Sequence, residues 1–220
     1  MSPLSIVVIG VLVVALGFFL FGALMPKSEN VTLVEGSQPG DRETQVLTDL
    51  PLALNQPEGL VFSYSGWILV NDFTTGFGKE RRILSKGDTP GIYIDSTSNS
   101  LVFKVKTYTT TETILIQNLP AAKWIHFAIT VDQNSVNIYI NGTLRQHHTL
   151  GQLPDQSNDA VRMGGEWNGV LARVVYYPRA LSNDEVRKLS EETPPDDLKR
   201  PTPGPSYFDI TWYIGRLNSA

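Results

Sequence analysis

The segment from Ile6 to Met25, IVVIGVLVVALGFFLFGALM, runs for 20 residues without a charged side chain. A helix of that length rises about 30 Å, the hydrocarbon thickness of a bilayer. A helix buried in a globular core seldom extends so far without a polar face. The 18 basic and 22 acidic residues of the chain all lie beyond Pro26. Two physically different objects are therefore joined in one sequence. Residues 1–26 are expected to form an uncleaved single-pass anchor, marked by Ile6, Val13, Phe18 and Met25, with the lipid bilayer as its partner. A cleavable signal peptide is the rival reading. Against it, the run exceeds the usual ~7–15 apolar residues, no Lys or Arg precedes it, and no small-residue cleavage site follows.

Sidedness stays open at this level. Lys27 follows the span directly, which by the positive-inside rule favours a cytoplasmic or virion-internal position for the remainder. The lack of cysteine agrees with a reducing side. Two sequons, Asn30-Val31-Thr32 and Asn141-Gly142-Thr143, would indicate the other side if glycosylated. Asn141-Gly142 has an alternative reading as a tight hairpin turn. The net charge of −4 argues against nucleic acid as a partner.

Residues 27–43 mix charge, Gly, Pro and Ser without sustained periodicity and read as a stalk. From about Thr44 to Tyr177, short apolar stretches are punctuated by Gly, Asn, Asp and Pro, the spacing of an all-β sandwich. Phe62, Tyr64, Gly66 and Ile68 alternate with Ser63, Ser65 and Trp67; Leu101, Phe103 and Val105 alternate with lysines. Val136, Ile138 and Ile140 alternate with Asn137 and Tyr139. Period two places each apolar set on one face of a half-buried strand. Turns at Asp132–Ser135 and Asn141-Gly142 join three of these strands into a meander. Ser182-Asn183-Asp184-Glu185 spells a capping box, with Leu181 and Val186 placed for a hydrophobic staple. One short helix is expected from there to about Glu191. The remainder, 193–220, is a proline-rich tether ending in an aromatic tail. Tyr207, Phe208, Trp212 and Tyr213 suit either a terminal strand packing back or a docking segment that adds to a partner's sheet.

The order of several short motifs carries a resemblance. It runs from Phe62-Ser63-Tyr64-Ser65-Gly66-Trp67-Ile68 through Ile83-Leu84-Ser85-Lys86-Gly87 to Trp124-Ile125-His126-Phe127-Ala128-Ile129-Thr130. Tyr139-Ile140-Asn141-Gly142, Trp167-Asn168-Gly169 and Tyr177-Pro178-Arg179-Ala180-Leu181-Ser182-Asn183-Asp184-Glu185 follow. In this order they resemble the laminin-G-like, concanavalin A-like lectin/glucanase superfamily over roughly residues 45–190. The resemblance implies a jelly-roll of two antiparallel sheets over 44–192.

That superfamily hosts lectins, calcium-dependent binders, adhesion modules and glycosidases, so the fold does not choose among them. Its glucanases place paired carboxylates on one strand as E-x-D-x-x-E, and that pattern does not occur in this sequence. No catalytic residue is assigned, and no cofactor is expected. Calcium is a possible ligand, but the pair of acidic residues common in laminin-G modules is replaced here by Ala172 and Arg173. Trp167, Asn168 and Asp88 are candidate ligand contacts; for Trp167 core packing competes with stacking on a sugar. Gly76-Phe77-Gly78-Lys79 lacks phosphate-loop spacing and reads as a charged hairpin tip.

The expected function is non-catalytic: a membrane-tethered binding or assembly module that links a membrane to neighbouring proteins. A membrane–capsid component of a large DNA virus is one setting with that architecture. The alternative is a lectin-like surface protein that binds carbohydrate. A divergent glycoside hydrolase ranks behind both.

Overall fold

The structure, a computed structural model, describes residues 30–46, 50 and 60–194. The anchor residues Ile6, Val13, Phe18 and Met25 and the tail aromatics Tyr207, Phe208, Trp212 and Tyr213 lie outside them. Among the described residues no helix is long and apolar enough to cross a membrane.

Short extended segments dominate, as the turn spacing requires. In chain order they are β1 (Val31–Pro39), β2 (Thr44–Val46), β3 (Val61–Val70), β4 (Arg81–Ser85), β5 (Gly91–Ile94), β6 (Leu101–Lys106) and β7 (Thr111–Ile116). β8 (Trp124–Asp132), β9 (Ser135–Ile140), β10 (Thr143–Thr149), β11 (Val161–Met163) and β12 (Gly169–Tyr177) follow, and then helix α1 (Asn183–Glu191). They form two antiparallel six-stranded sheets, one in the order β1-β12-β3-β8-β9-β10 and the other β2-β11-β4-β5-β6-β7. The expected all-β two-sheet sandwich is present, as is the β8–β9–β10 meander.

The core lies between the sheets, where the alternating apolar sets meet. Ile68, Phe127, Ile138 and Leu171 from the first sheet and Leu84, Ile92, Phe103 and Val105 from the second are fully buried. The first sheet is also covered on its outer side. There Ala128, Tyr139, Tyr177, Leu181 and Val186 form a second, smaller apolar cluster beneath α1. This is why every residue of β3 is buried, Ser63 and Ser65 on its outer face included. The segment leading into α1 satisfies the Ser63 hydroxyl, which donates to the Arg179 carbonyl at 2.9 Å and accepts the Leu181 amide at 3.0 Å. The helix begins with the expected capping box, Ser182 Oγ accepting from the Glu185 amide and Glu185 accepting from the Ser182 amide.

Two sequence expectations are corrected. Residues 31–39, read as part of a stalk, form an edge strand paired with β12 from Val31 opposite Tyr176 to Pro39 opposite Val170. Register shifts after Thr32 and Val34 break the period-two pattern. An edge strand also needs fewer apolar side chains than a central one. The Gly76–Lys79 segment is no hairpin tip, because β3 and β4 belong to different sheets and the loop between them crosses from one to the other.

The strand ladders define two ends of the sandwich. At one, here the entry end, β1 begins, and the turns after β4, β6 and β8 and the segment 150–160 come together. Leu150 N donates to Asn134 O at 2.7 Å, Asp155 N to Lys106 O at 2.8 Å, and Lys106 N to Asp88 O at 2.8 Å. At the opposite, distal end lie the loops 71–80, 95–100 and 164–168. They are joined by Asn71 N to Asn168 O at 3.0 Å and by Gly78 N to Ser96 O at 2.7 Å.

Candidate functional site

The distal loops owe their shape to one buried cation. Arg81 opens β4 and points inward, with no exposed surface. Its Nη1 donates to the carbonyls of Phe73 at 2.7 Å and Thr75 at 3.1 Å, and its Nη2 to the carbonyl of Asp95. Burial lowers its pKa from the ordinary arginine value, while Asp95 and Asp72 oppose that shift. A guanidinium suits this position because its planar fork supplies several donors in fixed directions. It ties the β3–β4 loop to the β5–β6 loop from below.

Above it sits a polar cluster open to solvent. Asp72 Oδ1 accepts the amides of Thr74 at 2.9 Å and Thr75 at 2.8 Å, together with both threonine hydroxyls. Asp72 Oδ2 accepts Asn168 Nδ2 at 2.5 Å, and Asn71 Nδ2 donates to Asn168 Oδ1 at 2.9 Å. The Thr75 amide, the Thr74 hydroxyl and the other donors hold the Asp72 carboxyl well below the usual carboxylate range. Phe77, 63% exposed, caps the same loop, and Lys79 reaches Glu166 at 3.6 Å.

The three candidate ligand contacts separate in space. Asn168 belongs to the exposed distal cluster. Trp167, beside it in sequence, points the other way: the indole has no exposed surface and its Nε1 donates to the Arg82 carbonyl at 2.9 Å. Stacking on a ligand is closed to that ring, and the core reading holds. Asp88 lies at the entry end, in the β4–β5 turn, where it accepts the Tyr93 hydroxyl at 2.6 Å. Burial, followed by that hydrogen bond, pushes the Tyr93 phenol up to about 12.

Both sequons are exposed. Asn30 precedes β1, whereas Asn141 opens the β9–β10 turn with φ 49° and Gly142 follows at φ 74°. Two successive positive φ values are what a tight type I′ turn requires. Asn141 Oδ1 also accepts the His126 amide at 2.9 Å, so this asparagine has a structural task of its own. Arg173, where laminin-G modules often carry an acid, sits in a bulge of β12 at φ 43° and pairs with Glu192 at 2.9 Å. Among the described residues no group of three His, Asp or Glu side chains is placed to hold a metal.

Asn71, Asp72 and Arg81 are the residues that sequence reasoning passed over. Asp72-Phe73-Thr74-Thr75 carries a local signal, an aspartate accepting from the two residues that follow its neighbour. Arg81 has no such signal, since burial of an arginine is visible only in the fold. Chemically, the cluster offers fixed donors and acceptors at the surface. A general acid would need a carboxyl with a raised pKa. Among the described residues, the carboxyls with displaced titration are Asp72, Asp95, Glu112 and Glu185, and all four are displaced downward.

The family model described as the concanavalin A-like lectin/glucanases superfamily matches residues 44–187. Comparison with curated proteins gives no match. Among solved structures, the receptor binding domain of botulinum neurotoxin D superposes with a TM-score of 0.58 at 12% identity, covering 76% of this chain and 48% of that one. The serotype D ligand binding domain in complex with N-acetylneuraminic acid gives 0.58 at 14%, covering 76% and 47%. The binding domain of botulinum neurotoxin DC in complex with rat synaptotagmin II gives 0.57 at 19%, covering 74% and 47%. The chain thus spans about half the length of these structures. At such identities the likeness is one of fold.

Proposed function

The chain belongs to the concanavalin A-like lectin/glucanases superfamily, and on that premise we propose that it is a non-catalytic binding module. In this reading residues 6–25 hold the sandwich to a membrane, and the domain and its aromatic tail link that membrane to neighbouring proteins. The single observation that carries the non-catalytic part is how the distal carboxylates are used: Asp72 and Asp95 accept the amides and hydroxyls of their own loops. Those hydrogen bonds hold both in the ionised form, so the cluster accepts hydrogen bonds and its two carboxylates are not poised to donate a proton near neutral pH. The anchor rests on the uncharged 20-residue run, and the docking role on the aromatic stretch behind five prolines. A virion membrane–capsid link is an analogy of architecture.

The test is cross-linking of the intact protein in its native membrane, with and without residues 207–220. Loss of most cross-linked neighbours on truncation is the expected result. Unchanged recovery would refute docking through the tail.

A second reading, glycan capture, is favoured by the distal cluster. Asn71, Asp72 and Asn168 present fixed amide and carboxylate groups, with the exposed Phe77 ring on the same loop. It requires the domain to lie on the extracytoplasmic side. Occupied Asn30 or Asn141 sequons, and glycan retention abolished by Asn168→Ala, are its expected signs; protection of the domain on the cytosolic side excludes it.

A further inference from the structure

Two large apolar side chains are exposed next to each other at the entry end. Thr107 and Pro154 form an isolated antiparallel bridge. In such a bridge the next residue of one segment faces the preceding residue of the other, which sets Tyr108 opposite Leu153. Tyr108 is 73% exposed and Leu153 43%. Neither packs into the core; Tyr108 lies in the β6–β7 turn and Leu153 in the segment between β10 and β11.

The chain length outside the structure says what covers them. Five residues separate Met25 from Val31, the first residue of β1. At ~3.3–3.6 Å per residue the six steps span at most about 20 Å, and the headgroup region takes about 5–8 Å of that. The ten residues of β3 run from end to end of the sandwich, about 33 Å. β1 begins at the entry end, because Val31 pairs with Tyr176 and Tyr177 pairs with Ser63 near the start of β3. A tether this short cannot stand the sandwich on its distal end.

We propose that the entry end of the sandwich rests on the bilayer that holds the anchor, with Tyr108 and Leu153 entering its interfacial zone. The proposal depends on the reading of residues 6–25 as a membrane span. Tyrosine suits that depth, with its ring among the upper acyl chains and its hydroxyl at the headgroups. The charges at this end are largely engaged within the protein. Lys106 pairs with Asp155 at 2.7 Å, Lys86 donates to the Ser157 carbonyl, and Asp88 takes the Tyr93 hydroxyl. Asp132 and Asp159 add further negative charge. The contact is therefore apolar, and a zwitterionic phosphatidylcholine surface is its partner in place of an anionic one. The distal cluster then faces away from the membrane, where a partner can reach it.

The cysteine-free sequence makes the test direct. Tyr108→Cys, Leu153→Cys and Phe77→Cys are made one at a time in the full-length chain, nitroxide-labelled, and reconstituted in phosphatidylcholine vesicles. All three positions are exposed, so the substitutions leave the core untouched. Flotation after alkaline carbonate extraction reports the anchor independently. The expected result is flotation of every variant, with labels at 108 and 153 several-fold less accessible to a water-soluble nickel chelate than the label at 77. Flotation with equal accessibility at all three positions overturns the membrane contact and leaves the anchor standing. Failure to float overturns both.

Discussion

The indole of Trp167 covers Gly40 so closely that a Cβ at that glycine would lie 2.5 Å from two of its ring atoms. The contact joins the loop after β1 to the loop before β12. Gly40→Ala must therefore displace the largest fully buried side chain of the core. A loss of about 1–3 kcal/mol is expected, and Trp167→Ala, which leaves a cavity, should cost about 3–5 kcal/mol. Urea midpoints measured at one pH check both; an unchanged midpoint for Gly40→Ala would show that the loop moves aside freely.

Arg81 should matter for the distal loops more than for the sheets. Arg81→Met strips the carbonyls of Phe73, Thr75 and Asp95 of their common donor. The expected loss is about 1.5–3 kcal/mol, with faster amide exchange concentrated in residues 73–80. Arg81→Lys should not restore protection, because one ammonium cannot reproduce the planar fork. Exchange that rises evenly over the whole sandwich would contradict the bracing role.

His126 predicts an acid-side slope in stability. Burial lowers its pKa from 6.5 to about 4, its Nδ1 has no hydrogen-bond partner, and its ring meets Trp67 edge-on at 5.1 Å. The folded state thus favours the neutral ring. Its contribution is complete above the unfolded pKa near 6.5, falls as pH drops through the window, and stops falling below about 4. The slope should approach about 1.4 kcal/mol per pH unit within that window. His126→Phe should flatten the curve between pH 4.5 and 6.5, and a variant with the wild-type slope would assign it to other groups.

The helix cap gives a separate, smaller signal. Ser182→Ala removes one half of the capping box and should cost about 1 kcal/mol. Arg179, and next the Ser182 amide, hold the Glu185 carboxyl down at about 2. That contribution is present above the ordinary glutamate pKa and is lost as pH falls toward 2. Glu185→Gln should remove this acid-side loss, as circular dichroism followed from pH 5 to 2 can show.

Much of the sandwich is legible from period-two alternation, because residues such as Leu101, Phe103 and Val105 face a core on one side only. The turn at Asn141-Gly142 and the box at Ser182–Glu185 are legible because both are satisfied within a few residues. Arg81 and Trp167 are not, since each depends on partners far away in the chain: a carbonyl at Asp95 for one, Gly40 and the Arg82 carbonyl for the other. β3 also hides its second face. Ser63 and Ser65 look solvent-directed until α1 folds over them, and that packing involves residues more than a hundred positions away. Asp72 is half legible, its threonine donors local and its Asn168 donor on another loop.

Among the described residues β1 has a single neighbour, β12, and β12 in turn joins β1 to β3. During synthesis from the N-terminus, β1 leaves the ribosome well before its partner, which lies more than a hundred residues further along the chain. Long-range pairing of this kind is slow to form, and an unpaired strand edge invites wrong partners in the meantime. The first sheet therefore closes only once β12 has emerged. A nascent chain arrested anywhere before Gly169 would leave both β1 and one side of β3 waiting for the same missing strand.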